Sequence, residues 1–144
     1  MWAAFCSKND IDIDTKHDIW KFCGGGVLAD ELADLVLAGI KTATASTKIA
    51  YDTDGDPLPE SGTYSVILFD NEEAACILRD IKVSVVPFNK VSEEHAYREG
   101  ENDRSLENWR EVHKRAFCPD YERVGHEFDE NELCVLEEFI VVYK

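Results

Sequence analysis

Apolar side chains recur at helical spacing between Val27 and Ala38. The apolar stripe of this segment consists of Leu28, Leu32, Leu35 and Val36. Such a stripe predicts an amphipathic helix that packs one face against a core. Gly39 follows, at a position where glycine in the left-handed conformation commonly ends a helix.

Residues further along the chain alternate between apolar and polar, which is typical of half-buried strands. The predicted strands are residues 63–69, 74–78, 81–86 and 133–143. The polar residues 70–73 form a hairpin tip between the first two strands, and Pro87 stops the third. The last segment is apolar over most of its length, so we expect a central strand there.

Two further helices are predicted between the third and the last strand. Ser92 is a good N-cap for a short helix that runs to about Arg98, and Ser105 for a longer one. The apolar face of the longer helix consists of Leu106, Trp109, Val112, Ala116 and Phe117, and Cys118–Pro119 is expected to end it. Strands with helices between them predict an α+β fold.

The remaining segments are interpreted as an extension and a loop. Residues 1–21 are expected to pack as an N-terminal extension on a single domain of residues 22–144. Residues 51–62 contain an Asp-Gly-Asp-Pro turn and a second proline, and they are predicted to form a turn-rich loop.

Charge narrows the classes of function. The 144 residues include 30 acidic and 15 basic side chains, for a net charge of -15. A nonspecific duplex-DNA binder normally presents a basic face, so that class is disfavoured, whereas a small pocket with local cations remains possible.

The chain shows no signal-peptide pattern and no apolar run of about 20 residues. Its five cysteines are scattered, as is typical of reduced thiols. We therefore expect a cytoplasmic protein that does not enter a membrane.

The segment Gly39-Ile40-Lys41-Thr42-Ala43-Thr44-Ala45-Ser46 places one lysine among hydroxyl residues directly after the first helix. Later in the chain follow His95-Ala96, Glu99, Trp109-Arg110 with His113, and the closing strand 139–143. In this order and spacing, the motifs resemble the activating-signal-cointegrator homology (ASCH) family, in its small stand-alone bacterial branch. The resemblance covers roughly residues 20–143 and implies a PUA-like fold, a small β-barrel with helices packed around it.

The resemblance also implies a site. Family members similar to N4-acetylcytidine amidohydrolases use a Lys, a Thr and a Glu, which correspond to Lys41, Thr44 and Glu99 here. In that interpretation Thr44 is the nucleophile, Lys41 activates it, and Glu99, protonated through burial, is the general acid/base. The pattern implies no cofactor and no metal.

Other residues near these motifs are candidates for substrate binding: Thr42, Ser46, Tyr51, His95, Arg98 and Arg104. Ser46 stands where the amidohydrolase-like members commonly have an arginine. That arginine could bind a phosphate or a base edge, and Tyr51, Arg79, Arg98 and Arg104 are candidates to replace it.

Three functions remain open from the sequence. The first is a hydrolase of N4-acylated cytidine, whose partner is a small nucleoside. The second is a ribonuclease that acts on single-stranded RNA, and the third is a non-catalytic RNA-binding module. The overall acidity suits a nucleoside better than long RNA.

Overall fold

The computed structural model of the protein describes all 144 residues. Ten main elements follow one another: α1 (Trp2–Asn9), β1 (His17–Trp20), α2 (Val27–Leu37), β2 (Ala43–Thr47), α3 (Lys48–Asp54), β3 (Tyr64–Leu68), β4 (Ala74–Pro87), α4 (Glu93–Glu99), α5 (Leu106–Glu122) and β5 (Leu133–Tyr143). Two short 3-10 helices, Phe22–Gly24 and Phe88–Lys90, precede α2 and α4. The α+β class is confirmed, and none of the helices combines the length and apolar character needed to cross a bilayer.

The strands form one mixed sheet in the order β1-β3-β4-β5-β2. β1 runs parallel to β3, and the other neighbours are antiparallel. The long strands β4 and β5 pair along most of their length, with irregularities at Ile77/Leu78 and Asp80/Lys82 that bend the sheet.

The expected closed barrel is wrong, because the edge strands β1 and β2 do not pair with each other. The outer edge at the start of β2 is already engaged: the Thr42 N–H donates to the carbonyl of Arg98 at the end of α4, at 2.8 Å. The Thr42 carbonyl accepts from Phe139 N–H at 3.0 Å, so this peptide links α4 to β5. The sheet therefore stays open beside β2.

Three apolar clusters hold the helices on the sheet. α2 packs on a cluster that includes Phe22, Ile67 and Phe139, all at most 4% exposed. α4 and α5 pack on a second cluster with Phe88 and Trp109. A third and smaller cluster consists of Phe5, Cys6, Val66 and Ile77, and it joins α1 to the sheet.

Three local predictions were wrong. The strands predicted separately over residues 74–78 and 81–86 are one continuous strand, β4. The first four residues of the loop predicted over 51–62 belong to helix α3, which Thr47 caps by accepting from Ala50 N–H. α5 continues past Pro119 to Glu122, although proline removes one helical hydrogen bond. Tyr121, which is only 1% exposed, packs into the second cluster and offsets that loss.

Candidate functional site around Lys41 and Glu99

Lys41 lies in the short connection between α2 and β2. Gly39 ends α2 with a positive φ of 73°, and the Lys41 N–H donates to the Leu35 carbonyl at 3.1 Å. This turn directs the lysine side chain inward, where it is 1% exposed. A lysine is almost never buried without a partner, because removing its charge from water costs several kcal/mol.

The partners of Lys41 are two carboxylates at the end of α4 and just beyond it. Its Nζ atom lies 3.3 Å from Oε2 of Glu99 and 2.7 Å from Oε1 of Glu101. Nζ also lies 5.4 Å from the centre of the Phe22 ring, in a cation–π contact. The lysine ammonium is thus enclosed between an acidic pair and an aromatic face.

Glu99 is the last residue of α4 and is 1% exposed. Its Oε1 atom accepts from the Trp109 indole N–H at 2.7 Å and lies 2.9 Å from Nε2 of His95. Its Oε2 atom faces Lys41 and lies 3.3 Å from Nε2 of His113. Each oxygen of this buried carboxylate therefore has two polar partners.

The pKa of Glu99 follows from this environment. Burial acts to raise the pKa, but the charge of Lys41 and the hydrogen bonds of His113 and His95 outweigh it and hold it well below the usual range. This direction runs against the expectation that burial gives Glu99 a proton. In the native structure Glu99 is a carboxylate that accepts hydrogen bonds.

Two helices present the groups that hold Glu99. His95 lies one turn before Glu99 on α4, and Trp109 and His113 lie one turn apart on α5. The rings of Trp109 and His113 stack at 4.1 Å with an interplanar angle of 15°. Because Nδ1 of His113 lies 2.9 Å from the Trp109 carbonyl, both nitrogens of its ring face oxygen acceptors.

Glu101 forms the boundary between this buried cluster and the surface. Its side chain is 20% exposed, whereas Lys41 and Glu99 are 1% exposed. A cavity of about 10 Å³ lies beside it, lined by Ala96, Glu101, Asn102, Ser105, Asn108, Trp109, Val112 and His113. That volume is enough for about one water molecule. Glu101 is therefore the more exposed of the two carboxylate partners of Lys41.

The structure brings only some of the predicted binding residues to this cluster. His95 contacts Glu99 directly, and Thr42 lies against the end of α4, where its hydroxyl is 3.4 Å from the Arg98 carbonyl. The guanidinium of Arg98 is ion-paired with Glu94 at 2.8 Å and lies 3.6 Å from Glu138. Arg104 stacks on the Tyr97 ring at 3.6 Å. The two arginines are thus engaged near the surface.

Thr44, Ser46 and Tyr51 form a second polar group on β2 and α3. The Ser46 hydroxyl lies 3.4 Å from the Tyr51 hydroxyl, whose pKa is raised by burial. Thr44 is half-buried and pairs directly with Glu137 of β5. The hydrogen bonds of the Lys41 ammonium go to Glu99 and Glu101 and do not reach Thr44.

Sequence reasoning missed four residues as site components: Glu101, Trp109, His113 and Glu137. The spacing of His95 with Glu99, and of Trp109 with His113, was a usable signal, since residues four apart share a helix face. Glu137 gave no such signal, because its neighbour Thr44 comes from a distant strand. The side chains provide no group of three His, Cys, Asp or Glu arranged to hold a metal, and all five cysteines are free thiols.

The sequence profile of the ASCH domain matches residues 18–143. The chain belongs to the ASCH domain family. The ASCH domain has a PUA-like fold, which is often linked to RNA binding. No relative with a curated function matches this ASCH protein.

Solved structures agree with the family assignment. An ASCH domain from Lactobacillus crispatus is 33% identical, with a TM-score of 0.88 over 99% of this chain and 94% of that one. Protein EF3133 from Enterococcus faecalis is 34% identical, with a TM-score of 0.88 over 99% of this chain and 85% of that one. The hypothetical protein PH0355 shares the fold at 18% identity and a TM-score of 0.53, over 78% of this chain and 93% of that one.

Proposed function

We propose that this ASCH protein binds a nucleoside or an unpaired RNA base beside Lys41 and hydrolyses the amide of an N4-acylated cytidine. The observation that carries the proposal is the buried Lys41–Glu99 pair, with 1% exposure of each side chain. A buried ion pair contributes little to stability compared with apolar residues of the same size, so its presence supports a functional role.

The contacts of Lys41 support a role in binding the acyl oxygen. The Lys41 side chain donates to two carboxylates, and the more exposed of them, Glu101, can give way to a ligand. An ammonium next to a carbonyl oxygen stabilises the negative charge that develops during attack on an amide. Glu99 then acts as a positioning residue that holds the ammonium in place, in contrast to the general-acid role implied by the family resemblance.

Thr44 is the proposed nucleophile. Its hydroxyl is half-buried on β2, three residues after Lys41. Attack by this hydroxyl would give an acyl ester on Thr44 and release cytidine, and water would then hydrolyse the ester. Phe22 supports a shared cleft: its ring contacts the Lys41 ammonium, and it packs in the same cluster as Phe139, two residues from the strand partner of Thr44.

Hydrolysis of N4-acetylcytidine, followed by chromatography, tests the proposal. Wild-type protein should release cytidine and acetate, and Thr44→Val, which keeps the shape of the side chain but removes the hydroxyl, should lose roughly a thousandfold or more in kcat. Thr53→Val is the matched control, since the exposed Thr53 hydroxyl donates to the Ile49 carbonyl within α3, and this variant should keep the wild-type rate. Wild-type protein without turnover, or Thr44→Val with the wild-type rate, would overturn the assignment.

A non-catalytic binding module is the second candidate. It is favoured by the absence of any hydrogen bond between Thr44 and Lys41, whose donors point at Glu99 and Glu101. This candidate predicts that cytidine or a single-stranded oligonucleotide binds without turnover, and that Thr44→Val changes the affinity little. Titration of wild type and Thr44→Val with both ligands at two salt concentrations separates the cases, because RNA binding weakens with salt and nucleoside binding does not.

A further inference from the structure

The face of the sheet that carries Thr44 also carries the acidic side chain of Glu137, which has no role in the reaction proposed above. Glu137 of β5 is the direct strand partner of Thr44, and Val83 of β4 is its partner on the other side. Side chains of opposite residues in an antiparallel pair project from the same face, with Cβ atoms about 4.5–5.5 Å apart. The carboxyl group of Glu137 is therefore the nearest ionisable neighbour that β5 offers to the Thr44 hydroxyl.

Asp80 of β4 completes the group. Its side chain is 5% exposed, and its Oδ2 atom has no hydrogen-bond donor among the N–H and O–H groups of the protein. Asp80 pairs with Phe139, two positions after Glu137 on β5, so the side chains of Asp80 and Glu137 project from the same face of the sheet. Each carboxyl shifts the pKa of the other. One oxygen of Asp80 therefore lacks a donor, and Glu137 is the neighbouring carboxyl that can carry one.

We propose that Glu137 is a further catalytic residue, which shares one proton with Asp80 and relays protons to and from Thr44 during amide hydrolysis. This inference rests on the proposed function. It gives the Thr44 proton a destination that Lys41 does not provide, since the hydrogen bonds of the Lys41 side chain go to Glu99 and Glu101.

The relay runs from Thr44 through Glu137 to Asp80. Oγ1 of Thr44 forms a bond to the acyl carbon, its proton moves to Glu137, and the proton of Glu137 moves to Asp80. The C–N4 bond then breaks, and N4 takes its electron pair and a proton from Glu137, while the Asp80 proton returns. Water repeats the relay on the Thr44 ester, so that the products are cytidine and the free acid, with one water consumed.

The charges around the pair favour a single shared proton. Burial, followed by the charges of Asp80 and Asp18, raises the pKa of Glu137 to about 8. Burial and Asp18 raise the pKa of Asp80 to about 6, against the hydrogen bond from Glu137. Asp18 of β1 and Tyr51 of α3 are the other titratable groups that face the pair. Two adjacent carboxyls cannot both ionise easily, so the pair retains one proton near neutral pH.

The first test is the pH profile of N4-acetylcytidine hydrolysis by wild type, Glu137→Gln and Glu138→Gln. Glu138 is the adjacent residue on β5, projects from the opposite face and is ion-paired with Lys82. We expect a bell-shaped wild-type profile, a kcat about 10²–10⁴-fold lower in Glu137→Gln without the bell, and an unchanged Glu138→Gln. Glutamine mimics the protonated carboxyl, so the variant should fold. Wild-type turnover by Glu137→Gln would overturn the relay and leave the proposed function standing.

The second test does not need activity. Infrared difference spectra of the wild-type protein should show a protonated carboxyl band that disappears as the pH rises from 7 to 9, and Glu137→Gln should lack that band. Loss of the band in Glu138→Gln instead, or no titrating carboxyl in this range, would overturn the shared proton. If wild type shows the band but no hydrolysis, the proposed function and the relay both fail, whereas the carboxyl pair remains.

Discussion

Nζ of Lys41 lies 3.3 Å from Oε2 of Glu99, and each of the two side chains is only 1% exposed. Neither charge can recover water as a partner when the other is removed. Their mutual attraction offsets the cost of burial, but the pair as a whole need not stabilise the fold. The consequence is a strong coupling between the two positions.

Lys41→Met should therefore lower the free energy of unfolding by about 3–5 kcal/mol, because it leaves the Glu99 carboxylate buried without its cation. The double variant Lys41→Met/Glu99→Gln should lose less than the sum of the single losses. Urea unfolding at pH 7 measures all three. Lys48→Met is the control, because Lys48 pairs with the exposed Asp52 and should cost less than about 1 kcal/mol. Additive losses at positions 41 and 99 would contradict the coupling.

Trp109→Phe tests the hydrogen bond that reaches Glu99 from α5. The indole N–H donates to Oε1 of Glu99 at 2.7 Å, and phenylalanine keeps an aromatic ring but lacks this donor. A hydrogen bond to a charged group contributes about 1.5–3 kcal/mol, so thermal or urea unfolding should show a loss of that order. Trp20→Phe, in the cluster under α2, removes no hydrogen bond to a carboxylate and should cost less. Equal losses for the two variants would show that packing alone matters at Trp109.

The carboxyl pair of Asp80 and Glu137 predicts that the folded protein is less stable at alkaline pH. The pKa of Glu137 is raised from 4.5 to about 8 in the folded protein, so the folded state binds this proton more tightly than the unfolded state does. The resulting stabilisation is fully present below pH 4.5 and is lost as the pH rises through about 8. Urea unfolding at intervals between pH 5 and 9 should show this decline. Glu137→Gln should remove it, and an unchanged slope in that variant would place the titrating group elsewhere.

Gly100→Ala tests how closely α4 approaches the connection that carries Lys41. Gly100 has a φ of 73°, and a Cβ atom there would lie 2.7 Å from the carbonyl oxygen of Ile40. Gly55 at the end of α3 has the same φ but no atom within 4 Å of such a Cβ. Both alanines place a side chain in a left-handed conformation, whereas only Gly100→Ala must also displace backbone, which should cost about 1–3 kcal/mol more. Equal melting temperatures of the two variants would refute this close contact.

Local patterns predicted much of the fold. The stripe from Leu28 to Val36 corresponds to α2, and the apolar run that begins at Leu133 corresponds to β5. The caps Ser92 and Ser105 accept from His95 N–H and Asn108 N–H, as their position before each helix predicts. These elements could be predicted because neighbours in sequence determine their periodicity and their caps.

The candidate site was harder to predict from the sequence, because its chemistry depends on residues from separate elements. Burial alone would raise the pKa of Glu99, and Lys41 and the two histidines reverse that direction. Likewise, nothing in the local sequence relates Glu137 to Thr44, whose pairing depends on β5 lying beside β2. The open edge of the sheet depends on Thr42, which binds the Arg98 carbonyl of α4 in place of another strand.

The enclosed ion pair also has a consequence for how the chain reaches its native state. Lys41 and Glu99 are 58 positions apart in the sequence, so neither finds the other through local contacts. A chain that collapsed with α4 in the wrong place would carry an isolated ammonium or carboxylate into its interior, at a cost of several kcal/mol. We therefore expect the pair to select the correct docking of α4 among compact alternatives and to sharpen the cooperativity of folding.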